Sequence, residues 1–143
     1  MIRIKFKKLH PLAVAPTQGT PGSAGFDLTA VSRNFDADHS VWGYGTGLAV
    51  EIPAGYVGLV FPRSSIYRTG DILSNGVGVI DSDYRGEIRL KFYAVDHLFD
   101  CPYEVGCRIG QLVIVPIPKV EYVEADVLTE TARGAGGYGS TGR

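Results

Sequence analysis

The sequence predicts an all-β sandwich or barrel. Three observations carry this reading. Apolar and charged residues alternate with period two in several short stretches, turn residues break those stretches at intervals, and helical periodicity is almost absent. At 143 residues the chain is most simply one domain, long enough to bury a core.

Each element follows from its own pattern. Near the N-terminus Ile2, Ile4 and Phe6 alternate with Arg3, Lys5 and Lys7, giving a strand with one apolar side. A shorter strand is expected at 26–30, then further strands at 48–52, 56–61 and 77–80. Alternation is clear again where Ile88, Leu90, Phe92 and Ala94 are separated by Arg89, Lys91 and Tyr93. A strand is also expected at 110–117, and 119–130 reads as one with an acidic side of Glu121, Glu124 and Asp126. Pro21-Gly22, Pro53-Ala54-Gly55, Arg85-Gly86, Pro102 and the Pro116–Pro118 pair supply the turns. The single helical expectation is a turn or two at 64–69, with serines available to cap it. Residues 31–44, with His39 and Trp42, read as a loop and surface strand with no activity assigned. After Thr131 the chain turns to small residues, so we expect a domain over 1–131 and a mobile C-terminal arm over 132–143.

Composition bounds the function. Hydrophobic residues at 45%, charged residues at 20% and a net charge of −1 describe an ordinary globular protein, with nothing to suggest binding to nucleic acid or membranes. The basic N-terminus lacks the apolar run of a secretory signal, and no stretch approaches a membrane span, so a cytoplasmic location is expected. Cys101 and Cys107, with His97 nearby, have no recognised metal spacing, and reduced thiols are the plain reading.

Five stretches could carry chemistry. The tail RGAGGYGSTGR has the glycine spacing of a nucleotide-binding loop at Gly134 and Gly139, but Ser140 stands where lysine is needed and no helix follows. Arg133, Ser140 and Thr141 still offer a guanidinium and hydroxyls to phosphate, and Tyr138 could stack on a planar ligand. The competing reading is a flexible tail with an incidental aromatic. In NGVGVIDSDYRGE an apolar run ends in carboxylates, and alternation turns Asp81 toward a cleft as a base or a metal ligand. Asp-Ser-Asp also suits a tight turn for purely local reasons. FPRSSIYRTG offers an anion site or a capped surface turn. SAGFDL sets Asp27 among apolar neighbours, and GCRIGQLVIVP opens an apolar strand with Gln111.

Taken in order, AGFDL, PRSSIYRTG, NGVGVIDSDYRGE, RIGQLVIVP and RGAGGYGSTG resemble the motifs of the trimeric deoxyuridine triphosphate nucleotidohydrolases, the dUTPases, across positions 24 to 142. The resemblance implies a jelly-roll-like (β-clip) subunit and a homotrimer with active sites at subunit boundaries. It implies hydrolysis of dUTP to dUMP and pyrophosphate with Mg²⁺, which keeps uracil out of DNA and supplies dUMP for dTMP synthesis. Asp81 matches the general base, and Tyr84 the tyrosine that leaves no room for a 2′-hydroxyl. Asn75 and the backbone at Gly78, Val79 and Ile80 match the uracil-reading hairpin. Arg63, Ser64, Ser65 and Gln111 match phosphate contacts, Asp27 the carboxylate that meets Mg²⁺ through water, and Arg89 a position that can lie near substrate. Arg133, Tyr138, Gly139, Ser140 and Thr141 match a substrate-binding arm that closes over a neighbouring site, with Tyr138 on uracil and Arg133, Ser140 and Thr141 at the γ-phosphate.

Departures from the pattern are few. Phe26 and Tyr138 exchange one aromatic for another, Ser65 stands where glycine is usual, and Arg68 where lysine is common. The run Arg63 to Arg68 also resembles the dCTP deaminases, which share the fold. A deaminase needs a glutamate where this chain has Lys91, and its characteristic turn is replaced by Ser82-Asp83-Tyr84. The other alternative is a nucleotide-sensing regulatory protein on the same scaffold. The presence of Asp81, Tyr84 and the tail favours catalysis.

Overall fold

The computed structural model describes residues 1–94 and 103–140. Its strands are β1 (Lys5–Lys8), β2 (Phe26–Thr29), β3 (Ser32–Asp36), β4 (Val41–Gly45), β5 (Leu48–Glu51), β6 (Tyr56–Phe61), β7 (Asp71–Leu73), β8 (Gly78–Ile80), β9 (Arg89–Ala94) and β10 (Arg108–Pro116). They form a pair, β1-β5, and two four-stranded sheets in the orders β2-β10-β6-β8 and β3-β4-β9-β7. Every pairing is antiparallel. The all-β expectation holds.

Period two explains the core. In β9 Leu90 and Phe92 are buried while Arg89, Lys91 and Tyr93 are exposed. Leu28, Tyr44, Leu48, Ile52, Ile88 and Ile109 join them, so both larger sheets and β5 contribute to one cluster. Tyr44, Phe92 and Tyr103 meet with ring centroids 5.5 to 5.9 Å apart, two of the three contacts edge-to-face.

Four expectations need correction. First, the N-terminal strand is shorter than its alternation suggests, because residues 5–8 alone pair with β5; Ile2 and Ile4, ahead of it, line an apolar groove with Phe6, Phe26, Leu112 and Ile114. Second, residues 31–44 are a hairpin, and β4 lies inside its sheet between β3 and β9 with Tyr44 fully buried. Its residues Val-Trp-Gly-Tyr-Gly are covered on both faces, so the strand has no period-two pattern to display. Third, the helical segment is a 3₁₀-helix, Ser64–Arg68, whose cap residue, Arg63, caps it with no side-chain bond. Backbone closes it instead: Ile66 N–H donates to Arg63 O at 3.0 Å and Thr69 N–H to Ile66 O at 2.9 Å. Fourth, 119–130 is not a strand. It finds no partner strand among the described residues and is exposed throughout, after a last bond from Ile117 N–H to Gly55 O at 2.9 Å. The accessible surface, 10296 Å², accordingly exceeds the roughly 7200 Å² of a compact chain of this mass.

Candidate active site

Strand β8 is the edge of its sheet, so its outward N–H and C=O groups have no strand to pair with among the described residues. Beneath it β6 fixes the register, setting Val60 opposite Gly78 and Gly58 opposite Ile80. The result is a rigid backbone edge open to a ligand. Beside it lies a cavity of about 270 Å³ whose walls include Asn75, Gly78, Val79, Ile80, Asp81, Tyr84 and Arg89, all of them expected from the sequence. Val60, Leu73, Glu87 and Leu90 complete the walls and were not expected.

The turn after β8 is tied at several points. Tyr84 N–H donates to Asp81 O at 3.2 Å, and Arg85 Nη1 donates to the carbonyls of Ser82 and Tyr84 at 2.7 and 2.9 Å. Tyr84 donates its hydroxyl to Glu87 O at 3.0 Å. Its phenol lies over Gly86, where an added Cβ would come 2.3 Å from the hydroxyl oxygen. Any larger residue there would have to displace the Tyr84 ring. Asp81 follows directly on β8 with its carboxylate exposed.

A second cluster forms where β2, β10 and β6 run side by side, since Gln111 of β10 pairs with both Asp27 and Phe61. Arg63 Nε lies 3.2 Å from Asp27 Oδ1, and Arg108 Nη1 lies 2.8 Å from Asp27 Oδ2, around a carboxylate only 13% exposed. Gln111 Nε2 donates to Pro62 O at 3.3 Å. Gly25 makes room for that side chain: a Cβ there would sit 2.3 Å from Gln111 Oε1. Ser64 and Ser65 start the 3₁₀-helix that follows Arg63. Arg108 is the residue that sequence reading missed here. Its signal was present, one position before Ile-Gly-Gln, but nothing in a single chain placed it beside a carboxylate 81 residues away.

A match to known proteins now decides the family. The sequence profile of the dUTPase family matches residues 12–142. The deoxyuridine 5′-triphosphate nucleotidohydrolase of Helicobacter pylori is 39% identical over 142 residues, covering 99% of this chain and 97% of the relative. That of Nocardia farcinica is 41% identical, covering 97% of this chain and 85% of the relative. The solved structure of the Staphylococcus bacteriophage 80alpha dUTPase with dUPNHPP superposes with a TM-score of 0.85 at 25% identity, covering all of both chains. The chain belongs to the dUTPase family.

Within this dUTPase chain, the expected residues fall into separate groups. Asn75 to Arg89 share the cavity; Asp27, Arg63 and Gln111 share the arginine–carboxylate cluster and do not line it. Arg133, Tyr138, Gly139 and Ser140 lie in the exposed tail, and their hydrogen bonds are local: Arg133 Nε donates to Gly136 O at 3.0 Å and Ser140 N–H to Gly137 O at 3.1 Å. Thr141 lies outside the described residues, as do Cys101 and His97. Cys107 is a free, exposed thiol. Lys91, the position a deaminase would need as glutamate, is exposed and lines a different hollow with Asn34 and Asp36.

Proposed function

We propose that this chain hydrolyses dUTP to dUMP and pyrophosphate at the cavity beside β8. The observation that carries the reading is that the open backbone edge at Gly78–Ile80, the Asp81 carboxylate and the Tyr84 phenol line one cavity. The edge offers a fixed row of donors and acceptors to uracil. Cytosine reverses part of that row and leaves buried groups unpaired, which costs about 1–3 kcal/mol for each group. Tyr84, held at its hydroxyl, stands as a wall that a 2′-hydroxyl would strike. Asp81 takes a proton from a water whose oxygen attacks the α-phosphorus, and the bond to the bridging oxygen breaks to release pyrophosphate.

Arg63, Arg108 and Gln111 suit the phosphate chain, with Ser64 and Ser65 beside them. Asp27 holds both arginines, and each of its oxygens keeps a lone pair for a further donor. No cluster of three or more acidic, histidine or cysteine side chains is found among the described residues. That donor set fits Mg²⁺ carried on the triphosphate and met by Asp27 through a coordinated water. When bound, the ion neutralises the phosphate oxygens and makes the α-phosphorus more electrophilic.

The assembly is a homotrimer in this reading. Among the described residues, cavity, arginine cluster and tail do not come together within one chain, and the apolar residues Val120, Tyr122, Val127 and Leu128 stand exposed. Neighbouring copies would bring the parts together, with the tail of one closing over the cavity of another. The test is pyrophosphate release from dUTP, UTP, dCTP and dTTP with Mg²⁺. Release from dUTP far above the others is expected; comparable turnover of dCTP would reject the edge-strand reading, and ammonia from dCTP would point to the deaminase.

A further inference from the structure

Glu87 joins three parts of the molecule, and the reaction above makes no use of its charge. Its Oε1 accepts the N–H of Gly47 at 2.8 Å, and its Oε2 faces Arg89 Nη1 at 3.8 Å. Arg89 in turn donates from Nη2 to Asn34 Oδ1 at 3.1 Å. The Glu87 side chain is 27% exposed and lines the same cavity as Asp81, Tyr84 and Arg89. Its own carbonyl is the acceptor for the Tyr84 hydroxyl. Gly45, the last residue of β4, makes room for it, since a Cβ there would come 2.6 Å from Oε1.

We propose that Glu87 is a positioning residue for sugar discrimination: it fastens the Tyr84–Arg89 segment to the Gly45–Gly47 turn, so that Tyr84 stays across the path of a 2′-hydroxyl. This rests on Tyr84 being the sugar wall. The grip comes mainly from the charge-assisted bond to the Gly47 N–H, because a 3.8 Å ion pair is too long for a hydrogen bond and half of it lies in solvent. One oxygen serves a backbone donor and the other faces a guanidinium, so Glu87 is badly placed to take a proton from water. Through Asn34 the same network reaches β3, giving the hairpin of residues 32–45 a task that no motif assigns it.

The substitutions separate its two contacts. Glu87→Gln keeps an acceptor for Gly47 but removes the charge facing Arg89; Glu87→Ala removes both. The experiment measures kcat/KM for dUTP and UTP, together with Tm, in wild type, both variants, Arg89→Gln and the Glu87→Gln/Arg89→Gln double variant. For Glu87→Gln, which keeps the Gly47 acceptor, we expect a Tm within a few degrees of wild type and a dUTP-over-UTP ratio reduced about threefold, mostly by faster turnover of UTP; about tenfold is expected for Glu87→Ala. Glu87→Ala goes further in the same direction, and the double variant loses less selectivity than the two single losses combined. An unchanged ratio in folded Glu87→Gln and Glu87→Ala overturns the proposal. So does an equal loss on both substrates, or failure of both variants to fold, since either makes Glu87 a purely structural tie. If the wild-type chain itself fails to prefer dUTP over UTP, the sugar-wall reading falls first, before any substitution is made.

Discussion

The hairpin carrying Asp81 and the tail carrying Tyr138 are both short and rich in turn residues, yet they are held in different ways. Strand β8 is registered against β6, and its following turn is tied by Tyr84, Arg85 and the Glu87 carbonyl. In the tail, Gly134 donates to Thr131, Gly136 to Arg133 and Ser140 to Gly137, all three residues back along the chain. Tertiary structure sets the first shape, while the second has only local turns. The contrast suits the two separate tasks that the proposed function gives these regions. Reading a base needs donors that are in place before the ligand arrives, whereas closing over it needs a segment whose rearrangement breaks little.

The largest effect should come from the hairpin. Asp81→Asn keeps the size of the side chain but removes the base, so kcat for dUTP should fall by about 10³-fold while KM moves little. Steady-state pyrophosphate release measures both. Retention of a tenth of the wild-type rate would place the base elsewhere and leave Asp81 a turn residue.

Next comes removal of the tail. A chain ending at Thr131 should lose about a hundredfold in kcat/KM, with Tm unchanged because no described bond joins 132–140 to the strands. Mixing this chain with full-length Asp81→Asn, followed by subunit exchange, should restore part of the rate. Restoration requires that an intact tail serve a neighbour's Asp81; a mixture no better than its components would confine each tail to its own subunit.

These two regions also differ in how far the sequence revealed them. The hairpin was legible because its residues are contiguous: the apolar run, the carboxylates, Tyr84 and Arg-Gly all fall within residues 75–87. The arginine cluster was legible only in part, since Asp27 and Arg108 meet through strand pairing that no local pattern encodes. Strand β4 was misread because it is an interior strand covered on both faces, which leaves no alternation to read, and its two glycines at 43 and 45 resemble turn residues. The strand expected at 119–130 failed for the opposite reason. Its pattern suits a strand, but a strand needs a neighbour, and this chain provides none for it among the described residues.

A glycine exchange sharpens the comparison at smaller scale. Gly86→Ala would drive a methyl into the Tyr84 ring and break its bond to Glu87 O, so dUTP-over-UTP selectivity should fall about tenfold, or some 1.4 kcal/mol. Gly137→Ala in the tail meets nothing within 4 Å and should leave Tm unchanged. Kinetics on the two nucleotides and a thermal melt of each variant decide the point. Equal selectivity in wild type and Gly86→Ala would mean that the phenol can move without opening the sugar site.

The smallest effect belongs to the body alone, because a fully exposed tail cannot carry a desolvation cost. Asp71, at the start of edge strand β7, has its Oδ2 buried with no hydrogen-bond partner among the described residues. Burial raises its pKa above the ordinary carboxylate value, and a hydrogen bond with Thr69 lowers it only in part. The Tyr103 hydroxyl is pushed up too, first by burial and then by the Asp71 charge. A raised pKa in the folded state means that unfolding releases a proton in the window between the two values. Stability is therefore greatest below the unfolded value of about 3.9 and declines as pH rises through the folded one. At neutral pH the folded chain carries the whole cost of the buried charge. Asp71→Asn should raise Tm by about 1–2 °C at pH 7, with the gain shrinking toward pH 4, as followed by thermal melts across that range. A fall in Tm at pH 7 would show that Oδ2 gains a partner when copies of the chain assemble, which would move Asp71 from the body of one subunit to a contact between two.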